Sequence, residues 1–256
     1  VRDHNEDRIG SDPELGLAVL ADGMGGMKAG EVASGMAVEY MLSELRERLP
    51  GLDEHGDDGS GFSPESLAVR SAVVRANEAI HHVARTQPQC SGMGTTLVLL
   101  LFYDNRVTVA HVGDSRLYRY RGGELEQLTR DHSLVQELID RGYFTPEQAR
   151  RSGNRNVVTR ALGIAPEVDL ELQEDVVCTQ DVFLLCSDGL NDMVGDERIR
   201  ELLGRHGDDL QDAARALVDA AVDEGGRDNV SVLLVRAVRP FPARSGWLER
   251  LVRWFD

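Results

Sequence analysis

The chain has 256 residues, of which 41% are hydrophobic and 28% are charged, and its formal net charge is -16. This composition is typical of a globular protein, and the length is compatible with one large domain that buries a substantial core. The acidic charge argues against a nucleic-acid-binding protein, because phosphate backbones require a basic surface, whereas surplus carboxylates suit divalent cations.

Several features of the sequence predict a cytoplasmic protein without a membrane span. It contains no run of about twenty apolar residues, and no charged-then-apolar segment typical of secretion opens it. Cys90, Cys178 and Cys186 are too few and too irregularly spaced for a disulfide framework or a zinc site, and we expect them in or near the core. The chain opens at Val1 in motif-like sequence, so we expect a short native N-terminus to precede it.

Apolar runs rich in β-branched residues predict strands with buried faces. These runs cover residues 17–20, 95–103, 107–112, 182–186 and 230–238. Asp104-Asn105 and Arg121-Gly122-Gly123 lie between such runs and predict hairpin turns.

Apolar residues spaced three and four apart predict amphipathic helices. These patterns fall within residues 38–49, 73–83, 133–141 and 210–221. Ser63 is the expected N-cap of the second helix, with Pro64 at its first position. The spacing of Thr145 and Gln148 predicts a capping box that opens a further short helix. Hairpins are more evident than regular strand-helix-strand alternation, which favours antiparallel sheets covered by helices.

Residues 1–239 are predicted to form one domain, and residues 240–256 a C-terminal tail. The tail pattern predicts an amphipathic helix, which we expect to pack on its own domain rather than on a membrane or a partner. Its apolar residues, set among arginines, are Trp247, Leu248, Leu251, Val252, Trp254 and Phe255.

Acidic residues recur where apolar strands begin or end, and loops at such places present side chains without burying unpaired charge. One Asp-Gly pair alone is typical of a turn, but together these motifs can converge at one sheet edge. Oxygen ligands suit Mg²⁺ or Mn²⁺, and the scarcity of His and Cys argues against zinc. The five motifs are Asn5-Glu6-Asp7, Asp22-Gly23, Gly113-Asp114, Ser187-Asp188-Gly189 with Asp192 beyond it, and Asp228-Asn229.

The wording and order of six motifs resemble those of the bacterial PPM, or type 2C, serine/threonine phosphatases. The match runs from Val1 to about Val238. It implies a four-layer αββα sandwich, in which two antiparallel sheets pack face to face between helices with metals at one end. The motifs are Arg2 with Asn5-Glu6-Asp7, Asp22-Gly23-Met24-Gly25-Gly26, Gly92-Met93-Gly94-Thr95-Thr96, Val112-Gly113-Asp114-Ser115-Arg116, Ser187-Asp188-Gly189 and Asp228-Asn229.

The resemblance also implies ligands for two tightly bound Mn²⁺ or Mg²⁺ ions. Asp22 would bridge them, and the carbonyl oxygen of Gly23 would contribute. Glu6 would bind the second metal, and Asp188 and Asp228 would bind the first. Two such cations, about 3.5 to 4 Å apart, would lower the pKa of a bridging water and stabilise the oxyanions of an in-line displacement.

Four further residues have counterparts in the family. Asp7 would act through metal-bound water, and Asp114 with Asp192 would hold a weaker third metal. Arg2 would grip the substrate phosphate, since its guanidinium offers a fork of donors to phosphate oxygens. Arg2 and Asp22 are therefore the predicted catalytic residues.

One departure from the eukaryotic pattern concerns the proton donor for the leaving group. Met24 stands where eukaryotic members carry a histidine proposed as general acid, and a thioether cannot donate a proton. A metal-bound water is the preferred donor; His4 and His132 are the alternative donors, although both are expected to be surface residues. Residues 142–162 match the variable flap, whose arginines either read acidic residues of a phosphopeptide or lie in solvent: Arg150, Arg151, Arg155 and Arg160.

The leading interpretation is a monomeric phosphoprotein phosphatase that reverses a serine/threonine kinase. A phosphatase for an anti-sigma-factor antagonist or for small metabolites would use the same ligands. A catalytically silent binding module of the same fold is the alternative from a different class; it would be marked by lost metal-binding aspartates, and none is lost. A calcium-stabilised structural domain would not need Arg2 beside the cluster.

Overall fold

The computed structural model describes residues 4–26, 28–52, 59–150, 152–154, 156–207 and 209–241. Arg2 and all but the first two residues of the predicted tail lie outside these ranges, so the domain boundary after residue 239 stays a prediction. None of the helices within these ranges combines the length and apolarity that crossing a membrane requires.

The secondary structure consists of ten strands and seven α-helices in the described ranges. The strands are β1 (Asp7–Asp12), β2 (Leu17–Met24), β3 (Gly94–Thr95), β4 (Leu97–Tyr103), β5 (Arg106–Val112), β6 (Arg116–Arg121), β7 (Glu124–Gln127), β8 (Glu171–Val176), β9 (Val182–Cys186) and β10 (Val232–Arg236). The helices are α1 (Ala29–Arg48), α2 (Pro64–Thr86), α3 (Leu134–Asp140), α4 (Pro146–Arg150), α5 (Asp188–Asn191), α6 (Asp196–His206) and α7 (Leu210–Asp223).

All strand pairs are antiparallel, and they form two sheets. The first has the order β1-β2-β4-β5-β8, with β3 paired to β2, and the second has the order β10-β9-β6-β7. Asp7 lies opposite Asp22 in the first sheet. In the second, Arg116 and Val232 both lie opposite Cys186. β6 therefore begins, β9 ends and β10 begins at one end of that sheet.

Three apolar clusters separate the layers and confirm the predicted αββα sandwich. Helices α1 and α2 pack on the outer face of the first sheet around Met41 and Leu99. The facing sides of the two sheets enclose a core that includes Leu100 and Phe183. Helices α6 and α7 cover the second sheet around Leu217. Each sheet is thus covered by helices on one face and by the other sheet on the opposite face.

Local sequence signals located several element boundaries. Ser63 caps α2 by accepting a hydrogen bond from the Ser66 amide, and Thr145 and Gln148 form the predicted capping box. Asp104 and Asn105 have φ of 49° and 56°, as a two-residue hairpin turn requires. The predicted strand over 95–103 is interrupted at Thr96, which bonds to Asp22 instead of continuing the ladder.

One expectation about burial was wrong, and one strand of the first sheet was missed. Cys90 and Cys186 are buried as predicted, but Cys178 is exposed because it lies in the turn between β8 and β9. Strand β8 was not predicted, since its alternating pattern is largely acidic. Its backbone nevertheless completes the edge of the first sheet beside β5.

A buried polar cluster joins the start of α2 to the first sheet. The hydroxyl of Ser66 donates to Glu174 Oε1 at 2.6 Å and lies 2.6 Å from Thr108 Oγ1. The Ser63 amide donates to the same Glu174 oxygen at 2.7 Å. Ser66 therefore links α2, β5 and β8 through groups that have little access to water.

We expect Ser66→Ala to lower the free energy of unfolding by about 1 to 3 kcal/mol, because it removes a buried hydrogen bond to the Glu174 carboxylate and another to Thr108. Urea denaturation followed by circular dichroism measures this change. Ser43→Ala is the matched control, since the Ser43 hydroxyl bonds only locally on the exposed face of α1. Equal effects of both substitutions would contradict the role given to Ser66.

Candidate metal centre

The acidic motifs meet at the end of the sandwich where β2 and β9 end and β6 and β10 begin. They line one cavity of about 300 Å³. The acidic residues that line this cavity are Glu6, Asp22, Asp114, Asp188 and Asp228, and Gly23 lines it next to Asp22. Asp192 lines an adjoining cavity of about 570 Å³, which shares Asp114 and Asp188 with the first. Asp192 therefore lies on the outer side of the cluster, toward α6.

Asp22 is held at the end of β2 by two neighbouring threonines. Its amide donates to Thr96 Oγ1 at 2.9 Å, and its carbonyl oxygen accepts from the Thr96 amide and the Thr95 hydroxyl, each at 2.9 Å. Thr96 Oγ1 also lies 2.7 Å from Ser115 Oγ, next to Asp114. The role of the threonines in holding the site was not predicted from the sequence, although the Gly-Thr-Thr motif was a signal that could have suggested it.

Asn229 ties the N-terminal segment to the start of β10. Its side-chain oxygen accepts from the Glu6 amide, and its amide nitrogen donates to the His4 carbonyl, both at 3.0 Å. The Glu6 carbonyl in turn accepts from the Gly23 amide at 3.1 Å. These three hydrogen bonds fix the positions of Glu6, Gly23 and Asp228 relative to one another.

Asp7 is buried beneath the other carboxylates. Its Oδ2 accepts from the Ser187 hydroxyl at 2.8 Å, and Ser187 Oγ accepts from the Ser231 amide at 3.0 Å. Its Oδ1 is buried and has no hydrogen-bond partner within the described part of the chain. An ionised carboxylate oxygen in this state is costly, and it suits a site that a cation or a water molecule on a cation completes.

Burial and mutual repulsion raise the pKa of the clustered acids. Burial is the largest cause in each case. The charges of Asp7, Asp188 and Asp114 also hold the pKa of Asp22 well above its ordinary value. The pKa of Asp114 is raised to about 7 and that of Asp188 to about 8. Such a set of oxygen donors fits hard divalent cations, which would favour the ionised forms.

The start of α1 packs directly against the cavity. A Cβ atom added to Gly30 would lie 2.6 Å from Glu6 Oε1 and 2.8 Å from the carbonyl carbon of Gly23. The helix backbone can approach these two residues only because Gly30 has no side chain. Gly35, one and a half turns further along α1, has open space around the same position.

The flap borders the cavity on its outer side through Asn156 and Val158. Arg160 does not lie free in solvent: its Nη1 is 3.1 Å from Asp169 Oδ2 and 3.9 Å from Glu171 Oε1. Of the other flap arginines, Arg151 and Arg155 and the side chain of Arg150 lie outside the described part of the structure. His4 is exposed as predicted, but His132 is buried, so the prediction of a surface histidine at 132 was wrong.

We expect Gly30→Ala to displace Glu6 and to lower both the free energy of unfolding and the affinity for Mn²⁺. Gly35→Ala should instead stabilise the protein by up to about 1 kcal/mol, because alanine favours a helix interior over glycine. Thermal unfolding and isothermal titration with Mn²⁺ measure the two effects. An Mn²⁺ affinity unchanged by Gly30→Ala would show that α1 does not position Glu6.

The raised pKa values predict that the metal-free protein loses stability between pH 7 and pH 8.5. The folded state holds protons on Asp114 and Asp188 that the unfolded state has released, so stability is lost as pH rises through their folded pKa values of about 7 and 8. The loss should be on the order of 1 to 2 kcal/mol. The buried histidines make stability rise with pH, but only below their unfolded pKa of about 6.5, so they do not offset this loss.

Denaturant unfolding of the chelator-treated protein at the two ends of this pH range tests this expectation. Asp188→Asn should reduce the loss, since it removes one of the repelling charges, and saturating Mn²⁺ should abolish it. A metal-free protein that is equally stable at both pH values would contradict the charge repulsion.

Comparisons with known proteins agree with this arrangement. The protein phosphatase 2C family model matches residues 2–225. The chain is 41% identical over 239 residues to the serine/threonine protein phosphatase PstP of Mycobacterium tuberculosis, covering 93% of this chain and 43% of that protein. It is 36% identical over 240 residues to the serine/threonine phosphatase stp of Listeria monocytogenes, covering 92% of this chain and 91% of that protein.

The fold is likewise similar to solved structures. The catalytic domain of PstP in complex with two manganese ions has a TM-score of 0.80 and 39% identity, with 93% of this chain and 94% of that chain covered. The present chain spans less than half the length of full PstP, to whose catalytic domain its fold corresponds. Because the family model matches residues 2–225 and the Listeria phosphatase is 36% identical over 92% of this chain, the chain belongs to the protein phosphatase 2C family.

Proposed function

We propose that this chain is a metal-dependent protein serine/threonine phosphatase that hydrolyses phosphoserine and phosphothreonine. The observation that carries the proposal is the convergence of six carboxylates on neighbouring cavities at one end of the sandwich, at least three of them with raised pKa values. The names of the bacterial relatives and the two manganese ions bound by the catalytic domain of PstP support it.

We assign the metal ligands in two groups. Asp22 would bridge two tightly bound Mn²⁺ or Mg²⁺ ions, with the Gly23 carbonyl oxygen and Glu6 on one side and Asp188 and Asp228 on the other. The second group is outer or indirect: Asp114 and Asp192 would hold a third, weaker ion, and Asp7 would act through water. Arg2 would bind the substrate phosphate.

When bound, the cations supply charge neutralisation and a water molecule of lowered pKa, so no protein nucleophile is required. The protein's own contribution is rigid placement. Thr95 and Thr96 fix the backbone of Asp22, and Ser187 holds one oxygen of Asp7 while leaving Oδ1 available as a hydrogen-bond acceptor. Arg2 would neutralise the phosphate oxygens and orient phosphorus for attack.

No histidine lines the carboxylate cavity within the described part of the chain. Met24 lines the cavity, and a thioether cannot donate a proton. His4 is exposed, with its carbonyl bound to Asn229, and both ring nitrogens of His132 are engaged, with Gly113 and Glu171. We therefore propose that a water molecule, not a side chain, protonates the leaving alkoxide.

We further propose that the protein acts in the cytoplasm as a monomer and reverses a serine/threonine kinase on phosphoproteins. The names of the bacterial relatives support the phosphoprotein substrate. A silent binding module remains the alternative of a different class. It predicts metal binding without turnover, which a direct assay distinguishes.

We expect the protein to release phosphate from an aryl phosphate and from a phosphothreonine peptide with Mn²⁺ or Mg²⁺, and to lose this activity with excess chelator. Asp22→Asn should lower kcat by about 100-fold or more, because the bridging charge stabilises both cations. Asp219→Asn, on the exposed face of α7, is the control and should leave kcat unchanged. A folded, Mn²⁺-loaded protein that hydrolyses neither substrate would favour the silent module.

A further inference from the structure

His132 occupies the junction between the turn that presents Asp114 and the flap. The residue is buried, with 5% of its surface exposed. Its backbone amide donates to the Gly113 carbonyl at 2.7 Å, and its Nδ1 accepts from the Gly113 amide at 3.1 Å. His132 thus binds both the carbonyl oxygen and the amide of Gly113, the residue immediately before Asp114.

The opposite side of His132 holds the base of the flap. Its carbonyl oxygen accepts from the Thr159 amide at 2.8 Å. The next two residues continue this contact, since Ser133 pairs with Val158 and the Leu134 amide donates to the Val157 carbonyl at 2.9 Å. Val158 lines the metal cavity, so His132 and the residue after it join the flap wall of the cavity to the Asp114 turn.

Gly113 can be displaced very little within this junction. Its φ is 112°, a conformation that favours glycine, and an added Cβ would lie 2.6 Å from Thr96 Cγ2. Thr96 in turn holds the Asp22 amide. The peptide before Asp114 is therefore held between Thr96 on one side and His132 on the other, and the Asp114 side chain extends from a fixed backbone.

The orientation of the His132 ring is also set. Nε2 lies 3.1 Å from Glu171 Oε1, and the His111 ring packs against it with 4.5 Å between centroids. These three side chains resemble a metal site in composition. They do not form one here. Because Nδ1 accepts a hydrogen bond from the Gly113 amide, Nε2 carries the ring proton. The positively charged Arg160 guanidinium also lies 3.3 Å from Nε2.

We propose that His132 is a positioning residue that locks the Gly113-Asp114 turn to the flap and thereby sets the affinity of the weakest metal position, at Asp114 and Asp192. The essential contact is the hydrogen bond from the Gly113 amide to Nδ1. This inference rests on the proposed metal-dependent function. Residues that orient metal ligands typically change metal affinity by about 10- to 100-fold when replaced.

Two substitutions separate the two ring nitrogens. The side-chain oxygen of asparagine can occupy the place of Nδ1, so His132→Asn retains an acceptor for Gly113 but loses the contact with Glu171. The longer glutamine side chain reaches the place of Nε2, so His132→Gln retains a group near Glu171 but loses the Gly113 acceptor. Equilibrium dialysis and electron paramagnetic resonance of Mn²⁺ count the bound ions and measure each affinity without requiring turnover.

We expect His132→Gln to weaken the weakest Mn²⁺ position by about 10-fold or more while the tighter positions are unchanged, and His132→Asn to remain close to the wild type. Loss of affinity in the asparagine variant would overturn the proposal even if the glutamine variant does not fold, and so would equal affinities in all three proteins.

Phosphate release by the wild type is measured in parallel. Wild-type turnover combined with unchanged affinity in His132→Gln contradicts the role of His132 but not the proposed function. Weakened Mn²⁺ binding in His132→Gln, with no turnover by the wild type, contradicts only the function.

Discussion

The carboxylates buried at one end of the sandwich repel one another. Asp7, Asp22, Asp114 and Asp188 have raised pKa values because they are removed from water and lie close to one another. Such a cluster costs folding free energy unless cations balance it. The surrounding protein must hold these groups together against their own repulsion, and the two packed sheets supply the required rigidity.

Rigidity reaches the acids mainly through backbone groups and small polar side chains. Thr95 and Thr96 bind the backbone of Asp22, and Asn229 binds the segments that carry His4 and Glu6. These contacts reach the backbone of Asp22, His4 and Glu6, not their side chains. The positions of Asp22 and Glu6 are therefore set without using the oxygen atoms of their carboxylates.

The base of the flap is attached to this end of the molecule by backbone hydrogen bonds. His132 and Leu162 provide the attachment: His132 binds Thr159, and Leu162 exchanges two hydrogen bonds with Thr95. Thr95 pairs in turn with Gly23. The base of the flap is therefore connected through paired backbone to Gly23, which lines the carboxylate cavity.

The sequence by itself determined the fold class, the end of the sheets that carries the acids and the identity of those acids, because strand ends, turn residues and short motifs are local signals. It placed Ser63 and the Thr145 capping box correctly for the same reason. It did not reveal β8, the burial of His132 or the roles of Thr96 and Asn229. Those depend on partners far along the chain, and only tertiary packing decides which distant groups share a buried space.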